Sequence, residues 1–181
     1  MSMALHTAPR TRAELLALPD DGCRHELIDG EHLVTPAPSF AHQRVVLQLI
    51  RLLDPHVRRH QLGELAIAPA DLALGEDEVL QPDLFVVPTA PATLRAWHEI
   101  TALLLVIEVV SPASARTDRE RKRRRYQRAG VPHYWIVDPE LQQVEVWHPE
   151  STVGTVAREQ LIWAVPADAP LVIDLSGLFS T

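Results

Sequence analysis

Residues 103–110 form one apolar run, Leu-Leu-Leu-Val-Ile-Glu-Val-Val, broken by a single carboxylate, Glu108. Length and branched composition describe a strand, and a strand apolar on both faces belongs inside a covered sheet. Ser111-Pro112 ends it. An Arg-dense segment at helical spacing follows from Arg116 to Arg128, and a second branched and aromatic run, His133 to Asp138, closes the unit. A strand, a helix and a strand joined by so long a crossover suit parallel pairing. Glu108 is then the residue to explain, because a lone buried carboxylate is costly unless it is paired or bound to a metal.

A second carboxylate has a comparable setting. Asp83 follows Gln81-Pro82 and opens the apolar run Leu84 to Val87. If these two strands pair antiparallel, Asp83 and Glu108 meet at one end of the sheet. Two adjacent carboxylates repel and one pKa rises unless a cation separates them. Hard oxygen donors of this kind suit Mg²⁺, or Mn²⁺ as the alternative. The competing reading leaves Asp83 in a turn and Glu108 at a solvated strand end. Val110 shares the face of Glu108, since strand side chains alternate, so no cation follows Glu108 on its own strand. The chain holds one lysine among seventeen basic residues, Lys122. A compact ammonium whose pKa can fall offers chemistry that guanidinium does not. Asp118, Lys122 and Tyr126 lie at i, i+4 and i+8, on one helix stripe. That stripe either carries a helix-stabilising ion pair or faces the carboxylate end of the sheet.

The charge distribution sharpens the question. Residues 116–128 carry eight basic side chains against two acids, a local +6 in a chain of net charge −7. A basic helix on an acidic body is either a site for a polyanion or a face that partners the acidic loops. The remainder of the chain reads as ordinary elements. Thr11 caps a short helix after an arm covering residues 1–10. Arg24–Thr35 forms a hairpin about Asp29-Gly30. Ser39 caps a helix with Val45, Val46, Leu49, Leu52 and Leu53 on its apolar face, which Pro55 breaks or kinks. Val79 to Val87 reads as a strand with Pro82 at a bulge or at the start of its paired part, and residues 142–148 as an antiparallel strand. At 181 residues, 46% hydrophobic and 23% charged, a single globular domain is expected. One cysteine, Cys23, excludes an internal disulfide and fits a reducing compartment; it reads as a buried or half-buried structural thiol. No signal-peptide core or membrane span is visible, so a cytoplasmic protein is expected. His56-x-x-x-His60 matches a two-ligand zinc spacing without a third ligand nearby.

Taken in order, Glu26-Leu27-Ile28-Asp29-Gly30-Glu31, His42-Gln43, Pro82-Asp83, Glu108-Val109-Val110-Ser111-Pro112, Asp118, Lys122, Tyr126 and Gly130-Val131-Pro132-His133-Tyr134-Trp135-Ile136-Val137-Asp138-Pro139 resemble the Uma2 family, restriction-endonuclease-like proteins of the PD-(D/E)xK superfamily. The resemblance implies an α/β fold: a restriction-endonuclease-like core, a mixed sheet flanked by helices, with an N-terminal β-hairpin. It implies Mg²⁺-dependent hydrolysis of phosphodiester bonds, in DNA more readily than RNA, and a homodimer is a reasonable form for cutting a duplex. It marks Asp83 and Glu108 as metal ligands and Lys122 as the replacement for the lysine expected at Val110. It places Glu26 near the site, with His42 and Gln43 in contact with substrate or with the ligands. Asp118, Arg119, Arg123 and Tyr126 are the further candidates for substrate binding. Two other readings stay open: a non-catalytic nucleic-acid-binding or scaffold protein that keeps the fold, and a hydrolase of smaller phosphate esters.

Overall fold

The computed structural model describes residues 8–75, 77–88 and 96–180. Its centre is a six-stranded sheet in the order β3 (Glu64–Ile67), β4 (Leu84–Val87), β5 (Leu105–Val109), β6 (His133–Asp138), β7 (Gln143–Trp147), β8 (Thr155–Ala157). β5 and β6 pair in parallel and every other neighbour pair is antiparallel, so the sheet is mixed. β5 is buried along its whole length, as its two-faced apolar run requires.

Alternation along the strands divides the core in two. Leu84, Val86, Leu105, Ile107 and Val109 face α2 (Phe40–Arg59) and the small pair β9 (Gln160–Trp163) and β10 (Leu171–Asp174). Phe85, Val87, Val106 and Val110 face the other way, toward Tyr126, Tyr134 and Ile28. Glu108 falls in this second series by its period of two.

The crossover from β5 to β6 starts as α3 (Ala115–Thr117), passes through a π-helical turn, Asp118–Lys122, and resumes as α4 (Arg123–Arg128). The sequence suggested an uninterrupted helix. π turns of this kind are rare and concentrate at functional sites. β1 (Arg24–Ile28) and β2 (Glu31–Thr35) form the expected hairpin, with Asp29 at φ 52° and Gly30 at φ 74° supplying the paired left-handed turn. The hairpin is tied to the body where Leu27 and Val79 exchange backbone hydrogen bonds.

Three expectations change in detail. Helix α2 runs on through Pro55 to Arg59, so Pro55 does not break it, although its missing N–H leaves the Arg51 carbonyl without its helical donor. The segment 79–87 is not one strand: Val79 and Leu80 make isolated bridges to Leu27 and Leu72, and β4 starts only after Pro82, which lacks the N–H a ladder needs. β9 was not legible as a strand of its own. Helix α1 (Arg12–Leu16) carries the Thr11–Glu14 capping box. Residues 1–7 of the expected arm, Glu76 of the acidic loop and residues 89–95 lie outside the described residues.

Candidate active site

β4 and β5 pair Leu84 with Ile107, and one further step of that antiparallel register sets Asp83 opposite Glu108. The two carboxylates therefore converge, as the sequence suggested. Both are nearly inaccessible, at 3% and 2%. Each is held differently.

Asp83 is surrounded by donors. Its Oδ1 accepts from Arg24 Nη2 at 2.7 Å; its Oδ2 accepts from the Val109 N–H at 2.8 Å and lies 3.0 Å from His42 Nε2. Burial alone would raise this carboxyl, but His42, Arg24 and the Val109 amide outweigh it and bring the pKa down to about 2. Asp83 is a fixed anion.

Glu108 sits in a carboxylate cluster around one ammonium. Lys122 Nζ lies 2.9 Å from Glu26 Oε1, 3.0 Å from Glu108 Oε1 and 3.5 Å from Asp118 Oδ1. Lys122 is itself 3% exposed. One ammonium cannot neutralise three buried carboxylates. Burial, and then the charges of Asp118, Asp83 and Glu26, push Glu108 well above the ordinary carboxylate range against the pull of Lys122. Asp118 also rises, chiefly through burial. Burial opposes the charge of Lys122, but Glu108, Glu26 and Asp118 together raise its pKa, so it stays protonated.

The local backbone explains this convergence. Asp118 and Lys122 bracket the π turn and both side chains are buried. Tyr126, one turn on, donates its hydroxyl to Glu108 Oε1 at 3.2 Å, and Tyr134 from β6 donates to the Asp118 carbonyl at 3.0 Å. Burial, then the Glu108 charge, raises the Tyr126 phenol well above its usual value, so it acts here as a donor. Glu26 comes from the hairpin; its Oε1 also accepts from the Gln81 N–H at 2.8 Å, which locks the strand before Asp83 onto β1.

These groups open onto a cleft of about 360 Å³ lined by Arg24, Glu26, His42, Asp83, Glu108, Asp118 and Lys122 on the polar side. The rest of the lining is the stretch from Leu33 to Ser39, the end of β2 and the connection to α2. Four carboxylates thus share two side-chain cations, Arg24 and Lys122.

Of the residues singled out from sequence, Glu26, His42, Asp83, Glu108, Asp118 and Lys122 come together at the cleft, with Tyr126 packed behind Glu108. Gln43 is exposed and does not line it. Arg119 and Arg123 do not line it either. Arg119 binds Asp138 and Glu145, each at 2.6 Å. Arg123 bonds the Arg119 carbonyl and Gln127, and its guanidinium stacks 4.4 Å from the Trp147 ring centre. Arg121 pairs with Glu31, Arg125 with Glu78, and Arg116 with Glu120. The basic segment therefore mostly partners acidic neighbours.

Arg24 was not anticipated. Strand alternation carries its signal: it lies two residues before Glu26 and so shares its face. The remaining sequence leads are quieter. His56 turns its Nε2 to the Val165 carbonyl at 2.6 Å, so that nitrogen does not face a second zinc-type ligand. Cys23 is exposed instead of buried, and slight desolvation followed by the Asp21 charge raises its thiol, which makes it a poor nucleophile. Among the described residues no three His, Cys, Asp or Glu side chains group as a metal cage, and no helix is long and apolar enough to cross a membrane.

A mixed sheet flanked by helices, with carboxylates meeting at neighbouring strand ends and a lysine returned from the crossover, defines a restriction-endonuclease-like α/β fold. A crystal structure of a protein described as a putative nuclease belonging to DUF820, from Anabaena variabilis ATCC 29413, has the same fold: TM-score 0.76, 22% identity, 94% of this chain and 98% of that one covered. The family model Uma2, described as "Putative restriction endonuclease", matches residues 12–173, and the chain belongs to that family. Comparison with curated proteins gives no match.

Proposed function

We propose that this protein is a divalent-metal-dependent nuclease that hydrolyses phosphodiester bonds, with DNA as the first substrate to test. The observation that carries the reading is the buried ammonium of Lys122 among Glu26, Glu108 and Asp118, which with Asp83 line one cleft. Structural ion pairs rarely gather a buried excess of negative charge, because it costs several kcal/mol for each uncompensated ion. A cation and a phosphate group would relieve that cost.

The donor set fits a hard cation. Mg²⁺ characteristically uses one or two carboxylates and leaves its other positions to water and phosphate, so a three-residue cage is not required. Asp83, Glu108 and the Val109 carbonyl would hold it, and when bound it would supply charge neutralisation at the scissile phosphate and a more acidic water. The chain's own contributions are separate. Lys122 presents a fixed positive charge toward the developing negative charge on phosphorus-bound oxygen. Glu26 and Asp118 keep that ammonium protonated and aimed. Tyr126 fixes the Glu108 rotamer. Asp83→Ala is expected to lower Mg²⁺-dependent cleavage by about 10²-fold or more while nucleic-acid binding in Ca²⁺ persists. Equal cleavage by that variant would reject the assignment.

A second reading is favoured by one observation. Asp83 is fully engaged by Arg24, His42 and Val109, an arrangement that also suits a fold-retaining, non-catalytic binding protein. No cleavage of DNA or RNA in either Mg²⁺ or Mn²⁺, with undiminished binding, would select it. The nuclease reading also carries a two-fold homodimer for duplex cutting, checked by light scattering, and a cytoplasmic location.

A further inference from the structure

The contact between Arg24 and Asp83 asks for an explanation that the nuclease reading does not supply. Arg24 places its guanidinium on the carboxylate that is meant to bind metal. We propose that Arg24 is a displaceable counter-ion. It holds Asp83 before a divalent ion binds, yields Asp83 Oδ1 to that ion, and then takes up a phosphate oxygen of the nucleic acid from the same cleft wall. This inference rests on the metal-dependent reading above.

Four features support it. First, the two oxygens of Asp83 are unequal. Oδ2 is fixed by the Val109 amide and His42, whereas the recorded contact of Oδ1 is Arg24 at 2.7 Å. The oxygen free to change partner is thus the one Arg24 covers. Second, Arg24 lies on the open side: its side chain is 18% exposed against 3% for Asp83, and it lines the cleft. Third, the two cations of the site differ in how they are held. The Lys122 ammonium, its side chain 4% exposed, contacts three carboxylates at 2.9–3.5 Å. Arg24 hydrogen-bonds one carboxylate, Asp83, through one Nη, feels Glu108 and Glu26 only as nearby charges, and keeps further guanidinium donors for an incoming anion. Fourth, guanidinium is weakly hydrated and matches phosphate in a two-pronged geometry, so its transfer from carboxylate to phosphate costs less than that of an ammonium. The stretch Leu33 to Pro38, which also lines the cleft, carries no charged side chain and so offers no competing charge.

The test is Mn²⁺ binding, followed by electron paramagnetic resonance and calorimetry without nucleic acid, for the full chain, Arg24→Gln and Asp83→Asn. Removal of a unit charge a few ångströms from the ion should tighten Mn²⁺ binding by about tenfold or more in Arg24→Gln, and Asp83→Asn should weaken it. With Ca²⁺ in place of Mn²⁺, Arg24→Gln should bind a short oligonucleotide several-fold more weakly. Equal or weaker Mn²⁺ binding by Arg24→Gln, with the unaltered chain binding normally, overturns the role of Arg24 alone. Loss of Mn²⁺ binding by all three proteins overturns the metal reading and this inference together. A measurement on the unaltered chain guards against a variant that fails to fold. Slowly exchanging Arg24 guanidinium protons should become averaged with solvent on Mg²⁺ titration, and their persistence at saturating Mg²⁺ would also overturn the proposal.

Discussion

Lys122 shows how one side chain can be at once the stability problem and the chemical asset of a site. Its removal leaves three buried carboxylates facing one another, and breaking a buried pair costs about 3–5 kcal/mol. Lys122→Met should therefore be strongly destabilised at pH 8. At pH 5 the loss should shrink, because carboxyls whose folded pKa lies above the unfolded value take up protons on folding and stabilise the fold as pH falls. Chemical denaturation at the two pH values checks this; an equal loss at both would mean that the three groups do not share one ammonium. Lys122→Arg keeps the charge but needs more room than a site with 4% exposure gives, so turnover should fall while oligonucleotide binding survives. At this scale the sequence was legible where residue chemistry was unusual: a carboxylate inside an apolar strand and a single lysine in an arginine-rich chain both drew the eye. Arg24 was not, since one arginine among many looks ordinary until its strand partner is known.

At the level of elements, the hairpin and the crossover deliver opposite sides of the site. The hairpin depends on the left-handed pair Asp29 and Gly30. Gly30→Val should cost roughly 1–2 kcal/mol through its positive φ and loosen Glu26 and Arg24 with it; thermal melting and Mn²⁺ affinity would both register the change, whereas unaltered Mn²⁺ affinity would separate the hairpin from the site. The crossover shows where pattern reading reaches its limit. A stripe at i, i+4 and i+8 was visible, but the π turn that seats Asp118 and Lys122 was not, because one wider turn leaves no mark on spacing that short. The positive charge of residues 116–128 was equally visible, but its destination was not. Arg119, Arg121 and Arg125 find acidic partners, and Arg123 its aromatic one, on β6, β7, the hairpin and the loop before β4, all distant in sequence. Arg119→Ala should thus lower the melting temperature and leave nucleic-acid affinity nearly unchanged. A large loss of affinity in a stable variant would return Arg119 to the substrate.

For the whole molecule, the charge pairing predicts how binding responds to salt. With most arginines of the crossover engaged internally in a chain of net charge −7, few phosphates can be neutralised, so the logarithmic salt dependence should be shallow, corresponding to roughly two to four contacts. Acid should lower the stability of the fold in two stages. His133 is held down to about 4 by burial and by the His148 charge, so its contribution is complete above about pH 6.5 and is lost as pH falls toward 4. Asp83, with a folded pKa of about 2, contributes fully above its ordinary value of 3.8 and loses that contribution as pH falls toward 2. A His133→Phe variant that keeps the first stage would rule out His133 as its source. The proposed chemistry requires Asp83 and Glu108 to share one ion. Anomalous scattering from crystals soaked in Mn²⁺ measures this most directly. One peak is expected at roughly 2.1–2.3 Å from an oxygen of each carboxylate, with Arg24 withdrawn from Asp83. Saturating Mn²⁺ with no peak between them, and Arg24 still seated on Asp83 Oδ1, would contradict it.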